Sequence, residues 1–208
     1  DEGSQLVAIA AAAGPVDGPD AAWLDLCAGP GGKAAMLAAI GATHSASVTA
    51  NEVQPHRAQL VRQALRHNEN ATVVTEDGRH PSWADASFDR VLVDAPCTGL
   101  GALRRRPEAR WRRTADDVAR LTVLQRELLD AAVTSTRPGG LVTYATCSPH
   151  LEETVGVVGA VAEGREDVEV VDAAPLLPQL GDAAGPYVQL WPHVHGTDAM
   201  FIAVLRRQ

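Results

Sequence analysis

The stretch WLDLCAGPGGK, Trp23 to Lys33, decides the fold. The apolar run Ala22–Leu26 has the length of a buried strand. It breaks into Gly29, Gly31 and Gly32, and the alanine-rich segment over about Lys33–Ile40 then suits a helix. Glycine permits positive φ and close backbone approach, and a helix start leaves free N–H groups, so such a turn can receive a carboxylate or a phosphate. It is not a Walker loop, because the upstream glycine is misplaced and no Ser or Thr follows Lys33. Nor is it a G-x-G-x-x-G fingerprint. Tight strand–helix packing alone also explains turns of this kind.

Working outward, extended and helical patterns alternate. Ser47–Asn51 reads as a second strand, Pro55–Asn68 as a helix with proline in its first turn, Ala71–Thr75 as a third strand and Asp89–Val93 as a fourth. A long helix is predicted over about Ala115–Thr136, where Val118, Leu121, Leu124, Leu128 and Val133 share one apolar face. Pro138-Gly139-Gly140 stops it ahead of a strand over Leu141–Thr146. Glu152–Ala162 reads as helical, Val168–Val171 as extended, Pro175–Pro186 as a loop and Ala199–Leu205 as a closing strand. Seven extended segments alternating with helices predict an α/β fold: a mostly parallel seven-stranded sheet with helices on both faces.

At 208 residues the chain fits one domain, and its 46% hydrophobic and 21% charged residues exclude wholesale disorder. No apolar run approaches the ~18 residues of a membrane-spanning helix, and Leu6–Ala13 follows acidic rather than basic residues, unlike a signal peptide. The chain starts at Asp1 rather than methionine, which suggests a fragment. The net charge of −8 argues against generic nucleic-acid binding. Six arginines (Arg104, Arg105, Arg106, Arg110, Arg112 and Arg113) nevertheless crowd one ten-residue window beside Glu108. A basic loop on an acidic body fits a single local polyanion contact, or a solvated surface loop. Three widely spaced cysteines suggest a reducing compartment, and no Cys-x-x-Cys pair suggests a metal site.

Four features could carry chemistry. Glu52, Asp77 and Asp94 each follow a predicted parallel strand, where carboxylates converge on the ligand crevice of such sheets; singly, each also reads as a solvated turn residue. Lys33 is the only lysine against seventeen arginines. Cys97 in VDAPCTG and Cys147 in TYATCSP both lie just past strand tips, and would share one rim if their strands are neighbours. Free cysteines are commonly small core residues, whereas an activated thiolate is a nucleophile. Trp111 reads either as a base-stacking ring or as a locally packed one.

In order, DLCAGPGGK, ANEVQPHR, EDGR, VDAPCTGLGALRRRPEARWRR, TYATCSPHLEE and LWPHVHGTDAMFIAVL resemble the motifs of the Sun (Fmu-like) RNA cytosine-5 methyltransferases, over essentially the whole chain. The resemblance implies a Rossmann-like methyltransferase fold, with residues 1–208 forming the catalytic domain. It also implies S-adenosyl-L-methionine as cofactor, RNA (16S small-subunit rRNA) as substrate, a cytoplasmic location, and no membrane or metal partner. Such enzymes carry an N-terminal helical RNA-binding region, and the resemblance implies that this region is not among these 208 residues. By the same resemblance, Cys27, Ala28, Gly29, Pro30, Gly31, Gly32 and Lys33 wrap the methionine end of the cofactor. Glu52 holds the ribose, Arg57 of ANEVQPHR joins the cofactor site, and Asp77 lies beside the adenine. Asp94 lies between cofactor and target base, Cys147 is the nucleophile and Cys97 assists release. The arginines from Arg104 to Arg113 grip RNA phosphates.

Two positions depart from the family pattern. Gly29 stands where many relatives have alanine, and Glu52 where aspartate is more frequent. A transfer-RNA or protein methyltransferase, and a non-catalytic RNA-binding module that kept the fold, are the rival readings.

Overall fold

The computed structural model describes residues 1–181 and 185–208. Of the loop expected over Pro175–Pro186, residues 182–184 lie outside the described residues. Helix α1 (Glu2–Ala12) precedes strand β1 (Ala22–Asp25), α2 (Gly32–Thr43), β2 (Ser47–Asn51), α3 (Pro55–Ala64) and β3 (Ala71–Val74). Then come β4 (Phe88–Asp94), a short α4 (Ala109–Arg112), α5 (Ala115–Ser135), β5 (Thr136–Thr146), α6 (Val155–Glu163), β6 (Val168–Val171), β7 (Val188–Gln189), α7 (Pro192–His195) and β8 (Phe201–Arg207).

The sheet order is β3-β2-β1-β4-β5-β8-β6, with β7 added beside β8. Strands β1 to β5 pair in parallel, whereas β8 runs antiparallel to β5, β6 and β7. Side chains alternate between two cores with the two-residue period of a strand. Trp23, Leu92, Ala145, Ile202 and Val204 face the α1–α2 side, and Leu24, Val91, Val93, Tyr144 and Phe201 face α5 and α6. Helices therefore cover both faces, as expected. Local signals start the helices: Asp1 caps α1 by accepting from the Gly3 amide at 2.9 Å, and Thr114 with Asp117 forms a capping box on α5.

Three expectations are corrected. The sheet has eight strands among the described residues rather than seven, because two-residue β7 is too short to carry a periodic signal. Strand β5 begins at Thr136 instead of Leu141: Phe88 pairs with Thr136 and Arg90 with Leu141, so the Pro-Gly-Gly breaker sits in a bulge within the strand. The helix expected over Glu152–Ala162 starts only at Val155, after a 3-10 turn at Leu151–Glu153.

The chain runs outward from β1 through β2 to β3, then returns to β4 on the other side of β1. The β1/β4 boundary is thus a topological switch point, where open parallel sheets bind ligands outside their carboxyl ends. The glycine turn after β1 and the first cysteine after β4 both sit there. No helix is long and apolar enough to cross a membrane among the described residues.

Candidate active site

Gly31 adopts φ +111°, and a Cβ there would come within 2.7 Å of the Ala64 Cβ, so only glycine lets the turn lie against α3. A Cβ on Gly29 would fall 2.1 Å from Glu52 Oε2. Arg57 ties the two together, donating to the Gly29 carbonyl at 2.6 Å and pairing with Glu52 at 3.3 Å. Glu52 is buried and also accepts from the Gln54 amide at 2.9 Å. Asn51, which sequence reasoning missed, laces three strand tips: its amide donates to the Leu26 carbonyl at 3.0 Å, and its Oδ1 accepts from the Glu76 amide at 3.0 Å. An asparagine ending a strand before an acidic residue was the available signal.

Lys33 reaches across the switch point to Asp94 Oδ2 at 2.6 Å. Asp77 lines the same cleft, where the Arg79 guanidinium hydrogen-bonds both its oxygens and holds its carboxyl at about 2. Beneath the turn lies Asp25, fully buried, with neither oxygen hydrogen-bonded among the described residues. Burial raises its carboxyl to about 7, and the Asp94 charge adds to the effect. Lys33 and the Cys27 amide act in the opposite sense without outweighing it. Cys27 lines the cleft; burial, then the Asp25 charge, pushes its thiol well up.

Because β4 and β5 are neighbours, Cys97 and Cys147 meet with their sulfurs 3.4 Å apart. A hydrogen bond from the Cys97 thiol favours the Cys147 thiolate and lowers that group, against desolvation and the Asp94 charge; Lys33 helps. Cys97 moves up, first because it donates to Cys147 and second because it is buried. The Cys147 carbonyl accepts from the Gly101 amide at 2.9 Å, and a Cβ on Gly101 would sit 2.3 Å from the Ala199 carbonyl oxygen. Both sulfurs, the glycine turn, Glu52, Asp77 and Asp94 line one cleft of about 760 Å³.

The six arginines separate into two groups. Arg104 pairs with Asp1 at 2.9 Å, Arg105 pairs with Asp198, and Arg113 donates from Nε to the Thr98 carbonyl at 2.9 Å. Those three serve the fold at least in part. Arg106 and Arg112 line the cleft, as does Arg113, and Arg110 lies 4.9 Å over the ring of Trp111, which is 79% exposed. No carboxylate partner is found for Arg106, Arg110 or Arg112 among the described residues.

A family model described as 16S rRNA methyltransferase RsmB/F matches residues 15–206. The chain belongs to the RsmB/F methyltransferase family. It is 62% identical over its whole length to Rv1407 of Mycobacterium tuberculosis, a protein named as a methyltransferase, and covers 45% of that relative. It is 39% identical over 89% of its length to the ribosomal RNA small subunit methyltransferase B of Vibrio cholerae, covering 41% of it. The chain therefore spans less than half the length of these relatives. Among solved structures, PH0851 superposes with a TM-score of 0.89 at 28% identity, over 99% of this chain and 46% of that one. NSun6 from Pyrococcus horikoshii, solved with SFG, gives 0.80 at 25% identity, over 98% and 51%. The Rossmann-like methyltransferase fold expected from the motifs is thus present, and S-adenosyl-L-methionine is the cofactor of this RsmB/F domain. The residues fit that group. A buried acid at the β2 tip suits ribose hydroxyls, and the glycine turn leaves backbone open to the cleft.

Proposed function

We propose that this chain is the catalytic unit of a cytoplasmic enzyme that methylates C5 of cytosine in RNA, with 16S rRNA as substrate, through a covalent bond from Cys147 to C6. The observation that carries the reading is the pair of sulfurs, 3.4 Å apart, at the lip of the glycine-lined cleft. The RsmB/F match and the relative named for small-subunit ribosomal RNA support the substrate class.

Cytosine C5 is a weak nucleophile until a thiolate adds to C6. Cys147, favoured as thiolate by its neighbour, forms the S–C6 bond, and the displaced electron pair moves toward N3. The Lys33–Asp94 pair holds a proton at 2.6 Å and supplies the hydrogen bond or proton that N3 then needs. Asp94 is ion-paired with Lys33, so the two act together in this role rather than Asp94 alone as an acid. When bound, the cofactor supplies an electrophilic methyl group, which C5 takes up. At release N3 gives back whatever proton it took to the Lys33–Asp94 pair as its double bond to C4 returns. The C5 proton leaves, its bonding pair restores the C5–C6 double bond, and the C6–S pair returns to Cys147. Cys97, a thiol until then, hands its proton to the departing sulfur and, as the thiolate that results, takes the C5 proton. Glu52 and Arg57 orient the cofactor, with Asp77 at its far end. Arg106, Arg110 and Arg112 hold phosphates around a base drawn out of its stack.

The decisive experiment incubates wild type and Cys147→Ala with labelled cofactor and small-subunit rRNA, followed by nucleoside analysis. Wild type yields 5-methylcytidine and the variant yields none. Retained methylation in the variant, or any other methylated nucleoside from wild type, overturns the reading. With total RNA and protein offered in place of rRNA, label entering only transfer RNA, or only protein, would favour a rival substrate.

A further inference from the structure

The residue that follows each cysteine points to a third participant. Thr98, next to Cys97, donates its amide to Glu153 Oε1 at 2.8 Å and its hydroxyl to Oε2 at 2.5 Å. Ser148, next to Cys147, donates its hydroxyl to the same Oε2, also at 2.5 Å. Gln125 of α5 completes the set, giving one amide hydrogen to Glu153 Oε1 at 3.0 Å and the other to the Pro96 carbonyl at 2.8 Å. The four donors fill the acceptor sites of a single carboxylate. Thr98, Ser148, Gln125 and Glu153 are all buried, and the Tyr144 hydroxyl fixes the Glu153 backbone by donating to its carbonyl at 2.8 Å. The adjacent Glu152 side chain is 67% exposed, so burial is specific to Glu153.

We propose that Glu153 is a positioning residue that locks the Pro-Cys and Thr-Cys loops to one another and so sets the distance and alignment of Cys97 and Cys147. A carboxyl buried without a contacting cation is costly, and a space-filling role there would suit an apolar side chain better. What the carboxylate provides is a shared anchor for two loops that arrive from different strands, one residue from each sulfur. Its charge also adds to the forces that keep Cys97 a thiol, after the hydrogen bond to Cys147, burial and the Cys147 charge. Cys97 is thereby held as the donor to Cys147 and as the proton relay. The inference rests on the reading in which Cys147 is the nucleophile and Cys97 the release residue.

The test compares Glu153→Ala, Glu153→Gln, Thr98→Val, Ser148→Ala and Cys97→Ala in the full chain. Three quantities are measured: kcat, affinity for a non-reactive cofactor analogue, and the fraction of protein in a denaturant-stable RNA adduct. Misplacing reacting groups by about 1 Å costs up to ~100-fold, so kcat of Glu153→Ala should fall about 10- to 100-fold while analogue affinity stays within about twofold. Adduct should accumulate, because release needs Cys97 in register. Glu153→Gln should rescue kcat to within about threefold, since both hydroxyls can turn and accept from its amide. Thr98→Val should raise the adduct fraction, and Ser148→Ala should slow adduct formation. These two decide the matter if Glu153→Ala does not fold.

Normal kcat in Glu153→Ala overturns the proposal. So does a loss of analogue binding and activity together that Gln fails to rescue, which would make the residue merely structural. Cys97→Ala judges the underlying reading separately. If it traps no adduct that reading falls, while the comparison of Ala with Gln at position 153 still judges the anchor.

Discussion

Replacing Asp25 with asparagine isolates the energetic cost of the buried carboxyl beneath the glycine turn. Burial lifts this group from 3.8 to about 7, so between those values the folded chain keeps a proton that the unfolded chain has lost. A folded-state value raised in this way means that stability is fully present at low pH and is lost as pH rises through the folded value. At about 1.4 kcal/mol per pH unit, the roughly three-unit gap amounts to about 4 kcal/mol, of which about 3 kcal/mol falls between pH 5 and 8. Asparagine has nearly the same shape and does not titrate. The difference between the two proteins therefore removes every other ionisable group from the comparison. Urea unfolding of both at pH 5, 6, 7 and 8, without cofactor, should show the variant gaining steadily on wild type up to about pH 7 and then running parallel. With an m-value of roughly 2 kcal/mol per molar, the midpoint gap should widen by about 1 M or more. A gap that stays constant from pH 5 to 8 would refute the reasoning, because it would mean that Asp25 does not hold its proton in the folded state.

Two further outcomes follow from the cleft and its rim. Gly29→Ala should weaken cofactor binding by about tenfold or more, since its Cβ would fall 2.1 Å from Glu52 Oε2; adding Glu52→Asp shortens the opposing arm and should recover most of the loss. Calorimetric titration of the two single variants and the double would expose simple additivity, which is the result that rejects a steric coupling. Arg106→Ala, Arg110→Ala and Arg112→Ala combined should reduce the salt dependence of RNA binding by about 2 to 3 in log–log slope, measured by filter binding, whereas Arg104→Ala with Arg105→Ala should chiefly lower thermal stability. An unchanged slope in the triple variant would show that those side chains touch no phosphate.

The parallel sheet, the glycine turn and the carboxylates at the strand tips were legible because each depends on local chemistry: strand length, glycine permissiveness and position after a strand. The meeting of Cys97 with Cys147 was legible only conditionally, since it needs β4 and β5 to be neighbours. What escaped depends on partners far apart in sequence. Glu153 reads as one of two adjacent acids at the start of a predicted helix, and nothing local distinguishes it from exposed Glu152. Arg104 and Arg105 look like solvated charges until α1 brings Asp1, and the loop before β8 brings Asp198, against them. Helix α1 gave no expectation of its own: its alanine-rich sequence has no polar stripe to mark a face, because Val7, Ala8, Ala10 and Ala11 are all buried against the sheet and α2. The two departures from the family pattern, Gly29 and Glu52, were visible separately, but their steric dependence on one another was not.

The ion pairs of Arg104 and Arg105 have a consequence for how the basic segment engages a polyanion. Its root is pinned by Asp1, by Asp198 and by the hydrogen bonds that join Gly101 to Cys147 and Ala199, while the side chains of its tip around Glu108–Arg112 are mostly exposed. Ordering loose side chains on association costs about 0.5–1.5 kcal/mol for each that is immobilised, so a pre-set root confines that entropic charge to the tip. The segment works as a short exposed finger on a stiff knuckle, and the knuckle is the part that touches the cysteine loop.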